Sequence, residues 1–161
     1  MSKPFVSILM GSESDLSIMQ AAGDIFTQLQ IGYEIKITSA HRTPAITQQF
    51  ISDAESRGCE VSIAGAGLAA HLAGATAAHT TKPVIGVPID SGPLNGFDAL
   101  LSTVQMPAGI PVATVAIGKT GAKNAAYLAA QILSLGDAEL AQRVKAERAA
   151  NSDKVQSQDK A

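Results

Sequence analysis

Phe5-Val6-Ser7-Ile8-Leu9-Met10 is an apolar run of strand length, and it passes directly into Gly11-Ser12-Glu13-Ser14-Asp15. Beyond that loop Leu16, Met19, Ala22, Phe26 and Leu29 recur at three- and four-residue spacing, one stripe of a helix, with Gly32 read as its exit turn. Strand, polar loop and amphipathic helix make half of a βαβ unit. Working outward, Tyr33–Thr38, Val61–Ala64, Val84–Val87 and Val112–Ile117 repeat the apolar run with helical patterns between them. That alternation predicts an α/β three-layer sandwich around a central parallel sheet, flavodoxin-like or Rossmann-like, with a further helix at the C-terminus.

The second helix has a clear start, since Thr43 can cap it and Pro44 suits a first helical position, and Gly58 supplies its stop. Ala64 to His79 is mostly Ala and Gly and reads as a helix that either packs tightly or forms a pocket wall. Ala122–Leu135 is apolar nearly all round, so it is expected to be covered by its own sheet and by another subunit. A charged helix follows from Asp137 to about Ala150. Residues 1–150 are therefore expected to form a single domain, and Asn151–Ala161 a polar, mobile tail.

A chain of 161 residues suits one domain with one substantial core. The net charge of −2 with scattered Lys and Arg gives no basic stripe, so neither nucleic acid nor an anionic membrane is an expected partner. Cys59 is the only cysteine, which excludes an internal disulfide and reads as a packed thiol at a strand start. Met1–Met10 lacks a cleavage site and reads as a first strand instead of a signal peptide, and no stretch approaches membrane-span length. A cytoplasmic protein is expected.

Ser39-Ala40-His41-Arg42-Thr43-Pro44 places an imidazole beside a guanidinium at the start of a helix. His41 can exchange a proton near neutral pH and Arg42 can hold a phosphate or carboxylate, so one turn combines an acid/base with an anion clamp. In open parallel sheets ligands bind beyond the carboxyl ends of the strands, where both this loop and Ser12–Asp15 fall. Ordinary helix capping is the plain alternative for Ser12, Ser14 and Asp15. A ring satisfied by a backbone carbonyl is the plain alternative for His41. His71, on the Ala-rich segment, reads as a packed, hydrogen-bonded residue supporting the site. His79 lies eight residues on, and no spacing of His, Cys and carboxylates suggests a metal.

Two further patterns compete. Ala113 through Gly118-Lys119-Thr120 fits a permissive phosphate-loop pattern, but its middle residues are strand formers that cannot wrap a phosphate. Gly65-Ala66-Gly67-Leu68-Ala69-Ala70 fits GxGxxA after a strand, with Asp90 beyond it, and keeps a dinucleotide-binding oxidoreductase open. A non-catalytic flavodoxin-like interaction domain is the third class.

The two loops, together with Ala64-Gly65-Ala66-Gly67, Ala70-His71-Leu72 and Val104-Gln105-Met106-Pro107 through Gly118-Lys119, resemble the N5-carboxyaminoimidazole ribonucleotide mutase family from Met10 to about Leu133. The resemblance implies an enzyme of purine biosynthesis that moves a carboxylate from an exocyclic nitrogen to a ring carbon of aminoimidazole ribonucleotide, with carbon dioxide as a trapped intermediate. It implies His41 as general acid/base and Arg42, with Ser39, on the substrate phosphate. The Ser12–Ser14–Asp15 loop would hold the phosphoribosyl part, and Ala66 and Gly67 would belong to the pocket around the reactive end, with His71 supporting the substrate site from behind. No cofactor is implied, and a homo-octamer is. Leu68 stands where many members have glycine and Ala73 where they have proline, which puts the shape of that pocket in question. A direct carboxylase branch using free carbon dioxide carries Lys after Ser-Ala-His, whereas Arg42-Thr43-Pro44 here favours the mutase.

Overall fold

The computed structural model describes residues 4–158. The strands are β1 (Phe5–Met10), β2 (Gly32–Ile37), β3 (Cys59–Gly67), β4 (Val84–Ile89) and β5 (Ala113–Thr114). The helices are α1 (Leu16–Gln28), α2 (Pro44–Ser56), α3 (Leu72–Ala77), α4 (Phe97–Val104), α5 (Gly118–Ser134) and α6 (Ala138–Gln158). All strand pairs are parallel and the order is β2-β1-β3-β4-β5, so the flavodoxin-like sandwich read from the alternation is borne out.

Strand alternation gives each sheet face its own core. Val6, Ile8 and Met10 point to a cluster with Met19, Phe26 and the alanines of α5, while Leu9 joins Ile51, Leu72 and Val84 beneath α2 and α3. The one polar intrusion in β1 is satisfied, since Ser7 Oγ pairs with Ser62 Oγ at 2.8 Å. Cys59 is buried at the head of β3, as its placement suggested.

Four expectations need correction. Ala64–Gly67 does not begin a helix: it continues β3, paired on one side with β1 and on the other with β4. A helix there would strand backbone groups on both neighbouring strands, so pairing overrides the Ala/Gly composition. Only Leu72–Ala77 is helical, and His71 sits at its cap. The first helix leaves through Gln30 at φ 57°, with Gly32 already in β2. The last strand pairs over only Ala113–Thr114 before the chain turns into α5. The octapeptide α4 escaped the sequence reading altogether.

The fourth correction concerns α5. Ala122, Ala125, Ala126, Ala129 and Ala130 are fully buried within this one chain. They are covered by α1, the sheet and α6, with no second subunit. Arg143 Nε on α6 donates to the Leu29 carbonyl at 3.0 Å, and Tyr127 donates to Glu147 at 3.1 Å, latching α6 across α1 and α5. Helix α6 also runs through Gln158, so residues 151–158 of the expected tail are helical with exposed side chains. The expectation for the remaining three tail residues and for Met1–Lys3 lies outside the described residues.

Helix α5 enters its groove through Gly121, where a Cβ would overlap the Ala116 carbonyl oxygen. Backbone cannot yield there as a side chain can. Gly121→Ala is therefore expected to cost about 1–3 kcal/mol or more in urea unfolding, and a variant as stable as wild type would contradict this packing.

Candidate active site

With β1 inside the sheet and the winding reversing between β1 and β3, the loops after these strands splay to opposite faces and leave a crevice at their carboxyl ends. A cleft of about 480 Å³ occupies that position. Its walls include every site residue expected from sequence: Ser12, Ser14, Asp15, Ser39, His41, Arg42, Ala66, Gly67 and His71. Gly11 and Leu68 line it too, as the loop and the resemblance implied, whereas Ala40 and Ser91 were not anticipated as site residues. Ser91 follows β4, and nothing in its local sequence indicates that it would meet Gly67 across the strand ends.

The loop after β1 closes as a 3-10 turn, Glu13–Asp15, whose Ser14 N–H donates to Ser12 Oγ at 3.4 Å. Ser14 Oγ also donates to Ser12 Oγ, at 3.0 Å. Capping and site lining thus coexist in the same hydroxyls. Asp15 is only 7% exposed. Burial pushes its pKa above the ordinary aspartate value, opposed by hydrogen bonds from the Ser12 backbone and the Ser14 side chain.

The loop after β2 is held by threonines. Ser39 N–H donates to Thr43 Oγ1 at 2.9 Å, and buried Thr38 and Thr47 share a hydroxyl hydrogen bond of 2.7 Å beneath it. Thr43 stands at the helix cap but spends its hydroxyl on this loop, making no side-chain cap bond. Arg42 N–H donates to Ser39 Oγ at 3.1 Å, and Arg42 Nη2 reaches across the crevice to the Gly11 carbonyl at 2.8 Å. The guanidinium therefore bridges the loops after β1 and β2 at the cleft's rim.

His41 Nε2 lies 2.6 Å from His71 Nδ1, with the rings edge to face and centroids 4.8 Å apart. One ring donates and the other accepts, so each imidazole fixes the other's tautomer and tilt. His41 is engaged by a ring from α3's cap, not by a backbone carbonyl. The glycines of the GxGxxA stretch lie at the end of β3, so the helix-opening turn a pyrophosphate needs is missing. The oxidoreductase reading loses its footing there.

The sequence profile described as AIR carboxylase matches residues 5–154. This chain belongs to the AIR carboxylase family. A Bacillus subtilis relative named N5-carboxyaminoimidazole ribonucleotide mutase is 56% identical over 146 residues, 91% of this chain and 90% of that protein. An Escherichia coli K12 relative of the same name is 54% identical over 150 residues, 93% of this chain and 89% of that protein. The crystal structure of Treponema denticola PurE superposes with a TM-score of 0.89 at 33% identity, covering 98% of each chain. Membership of the AIR carboxylase family makes the chain an enzyme, and its mutase-named relatives bear out the resemblance read from the motifs.

Asp15 also yields a stability test. The folded chain holds the Asp15 proton more tightly than the unfolded chain, so stability falls as pH rises from the ordinary aspartate value through the raised one. Above that range the burial of the carboxylate is a net cost. Asp15→Asn is expected to melt with wild type in acid and above it at neutral pH; a variant less stable than wild type at neutral pH would contradict this.

Proposed function

We infer that this enzyme converts N5-carboxyaminoimidazole ribonucleotide to 4-carboxy-5-aminoimidazole ribonucleotide in purine biosynthesis. The observation that carries the reading is the convergence of His41, Arg42 and the Ser12–Asp15 loop on one cleft, in a chain whose relatives bear the mutase name. Arg42 and the Ser12 hydroxyl, which accepts from Ser14 and keeps its own proton to give, suit the phosphoribosyl end, since both present donors to an anion. Asp15 faces the same end as an acceptor for sugar hydroxyls. Ala66 and Gly67, small and at the end of β3, let the imidazole approach the sheet.

The chemistry then needs one proton carrier. The carbamate C–N bond breaks with its electron pair left on nitrogen, and protonated His41 supplies the proton that makes the neutral amine. Carbon dioxide stays beside the ring, whose nucleophilic carbon attacks it to form the new C–C bond. Neutral His41 takes the proton that this carbon sheds, which restores aromaticity and returns the imidazole to its starting state. Holding the gas in place replaces a bimolecular recapture with a proximity effect. His71 orients the ring through its 2.6 Å contact.

Direct carboxylation with free carbon dioxide is the second reading, favoured by the family's name. Against it stand Arg42-Thr43-Pro44 after His41 and relatives named as mutases at 50–56% identity. A cytoplasmic setting belongs to the same proposal, supported by a lone buried thiol. So does a homo-octamer. Its support is not α5 but α4, where Phe97, Leu101 and Val104 fall on one helical face and are 66%, 55% and 48% exposed. Light scattering at micromolar protein is expected to show an assembly, and a fully active monomer would remove this part of the reading.

His41→Asn is expected to lower turnover by roughly 10²–10⁴ with binding kept, while His71→Asn, which retains a polar group beside the ring, keeps most of it. Arg42→Ala removes a charge-assisted clamp worth about 1.5–3 kcal/mol and should weaken nucleotide binding by roughly one to two decades. Ultraviolet assay and calorimetry read the two effects separately. Near wild-type turnover in His41→Asn, or unchanged affinity in Arg42→Ala, would sink the corresponding role.

A further inference from the structure

We propose that the Ser91 hydroxyl binds the carboxylate carried by the substrate's heterocycle; this rests on the mutase reading above. Every other polar side chain of the cleft has a partner within the protein. Ser12, Ser14 and Asp15 bond within their own turn, Ser39 accepts from Arg42, Arg42 reaches the Gly11 carbonyl, and His41 pairs with His71. The Ser91 hydroxyl lines the same cleft and has no such partner among the described residues. Its donor is left for a ligand.

The hydroxyl is nonetheless held in place. Ser91 N–H donates to the Ile89 carbonyl at 3.0 Å, which fixes the backbone just beyond β4. The side chain packs on the end of β3, where a Cβ on Gly67 would stand 2.5 Å from Ser91 Oγ and 2.7 Å from Ser91 Cβ. Only glycine at position 67 leaves the serine its seat. The chain thus gives up a side chain on β3 to position a hydroxyl that the protein itself does not use, which is how a binding group is set in advance of its ligand.

Strand order says which part of the ligand it meets. Arg42 follows β2 and bridges to the loop after β1, so the anion clamp lies at one flank of the cleft, whereas Ser91 follows β4 on the other side of β3. With neighbouring strands about 4.8 Å apart, the three spacings from β2 to β4 separate these loops by roughly 14 Å. An extended ribonucleotide held by its phosphate at the first flank therefore presents its heterocycle to the second. That ring bears the carboxylate, on nitrogen before the reaction and on carbon after it. A hydrogen bond from a hydroxyl to a carboxylate is charge-assisted, about twice as strong as one between neutral groups, so the carboxylate outcompetes the neighbouring amine for Ser91.

Calorimetry with two nucleotides tests the assignment. 4-Carboxy-5-aminoimidazole ribonucleotide carries the carboxylate, and 5-aminoimidazole ribonucleotide has the same phosphate, ribose and amine without it. Ser91→Ala is expected to weaken binding of the first roughly tenfold or more and to leave the second unchanged. Its melting temperature should match wild type, since the hydroxyl has no protein partner to lose. Undiminished affinity for the carboxylated nucleotide overturns the proposal. Equal weakening of both nucleotides does so too, because it assigns Ser91 to the amine or to the architecture of the cleft. Wild type that binds neither nucleotide would overturn the mutase reading itself, a result distinct from failure at Ser91 alone.

Discussion

Strand β1 has both backbone edges occupied, by β2 on one side and β3 on the other, and this pairing organises the rest of the molecule. Because the chain must cross over β1 to reach β3, successive helices fall on opposite faces and the loops after the two strands part. The crevice is a consequence of hydrogen-bond topology, present before any side chain is specified. What the residues add is chemistry at its rim: hydroxyls and Asp15 on one loop, His41 and Arg42 on the next, and small side chains at the floor.

Several of those residues work against stability. Asp15 is an acid kept from water, Leu68 sits in a backbone region suited to glycine, and His41 and Arg42 are exposed and contribute little to a core. The compensation lies elsewhere in the fold, in two apolar clusters and in an alanine face of α5 with no exposed surface. Such a division lets a rigid body carry a polar rim whose groups pair with one another and stay exposed to a ligand.

The loops at Ser12–Asp15 and Ser39–Arg42 were legible because their signals are local: an apolar run ends, a capping residue appears, a helical stripe begins. Their meeting in one cleft was legible from the parallel topology. Ala64–Gly67 was misread because its composition is local while its pairing partners, Met10 on one side and Ile89 on the other, are distant in sequence. The cover on α5 was misassigned to another subunit for the same reason, since α6 carries only one buried residue, Leu140, and shows no apolar stripe to announce itself. Ser91 and α4 had too little pattern to be found, and the contact between His41 and His71 spans thirty residues that no periodicity relates.

The latch of α6 on α1 bears on how the chain is made. Synthesis proceeds from the N-terminus, so α1 leaves the ribosome about a hundred residues before its partners on α5 and α6, with Met19, Ala22 and Phe26 covered by the early strands alone. The first half-units can pair their strands, yet the outer layer on that face cannot close until Arg143 reaches the Leu29 carbonyl. The nascent chain must therefore carry this apolar stripe only partly covered through most of translation, and that face closes when α6 docks.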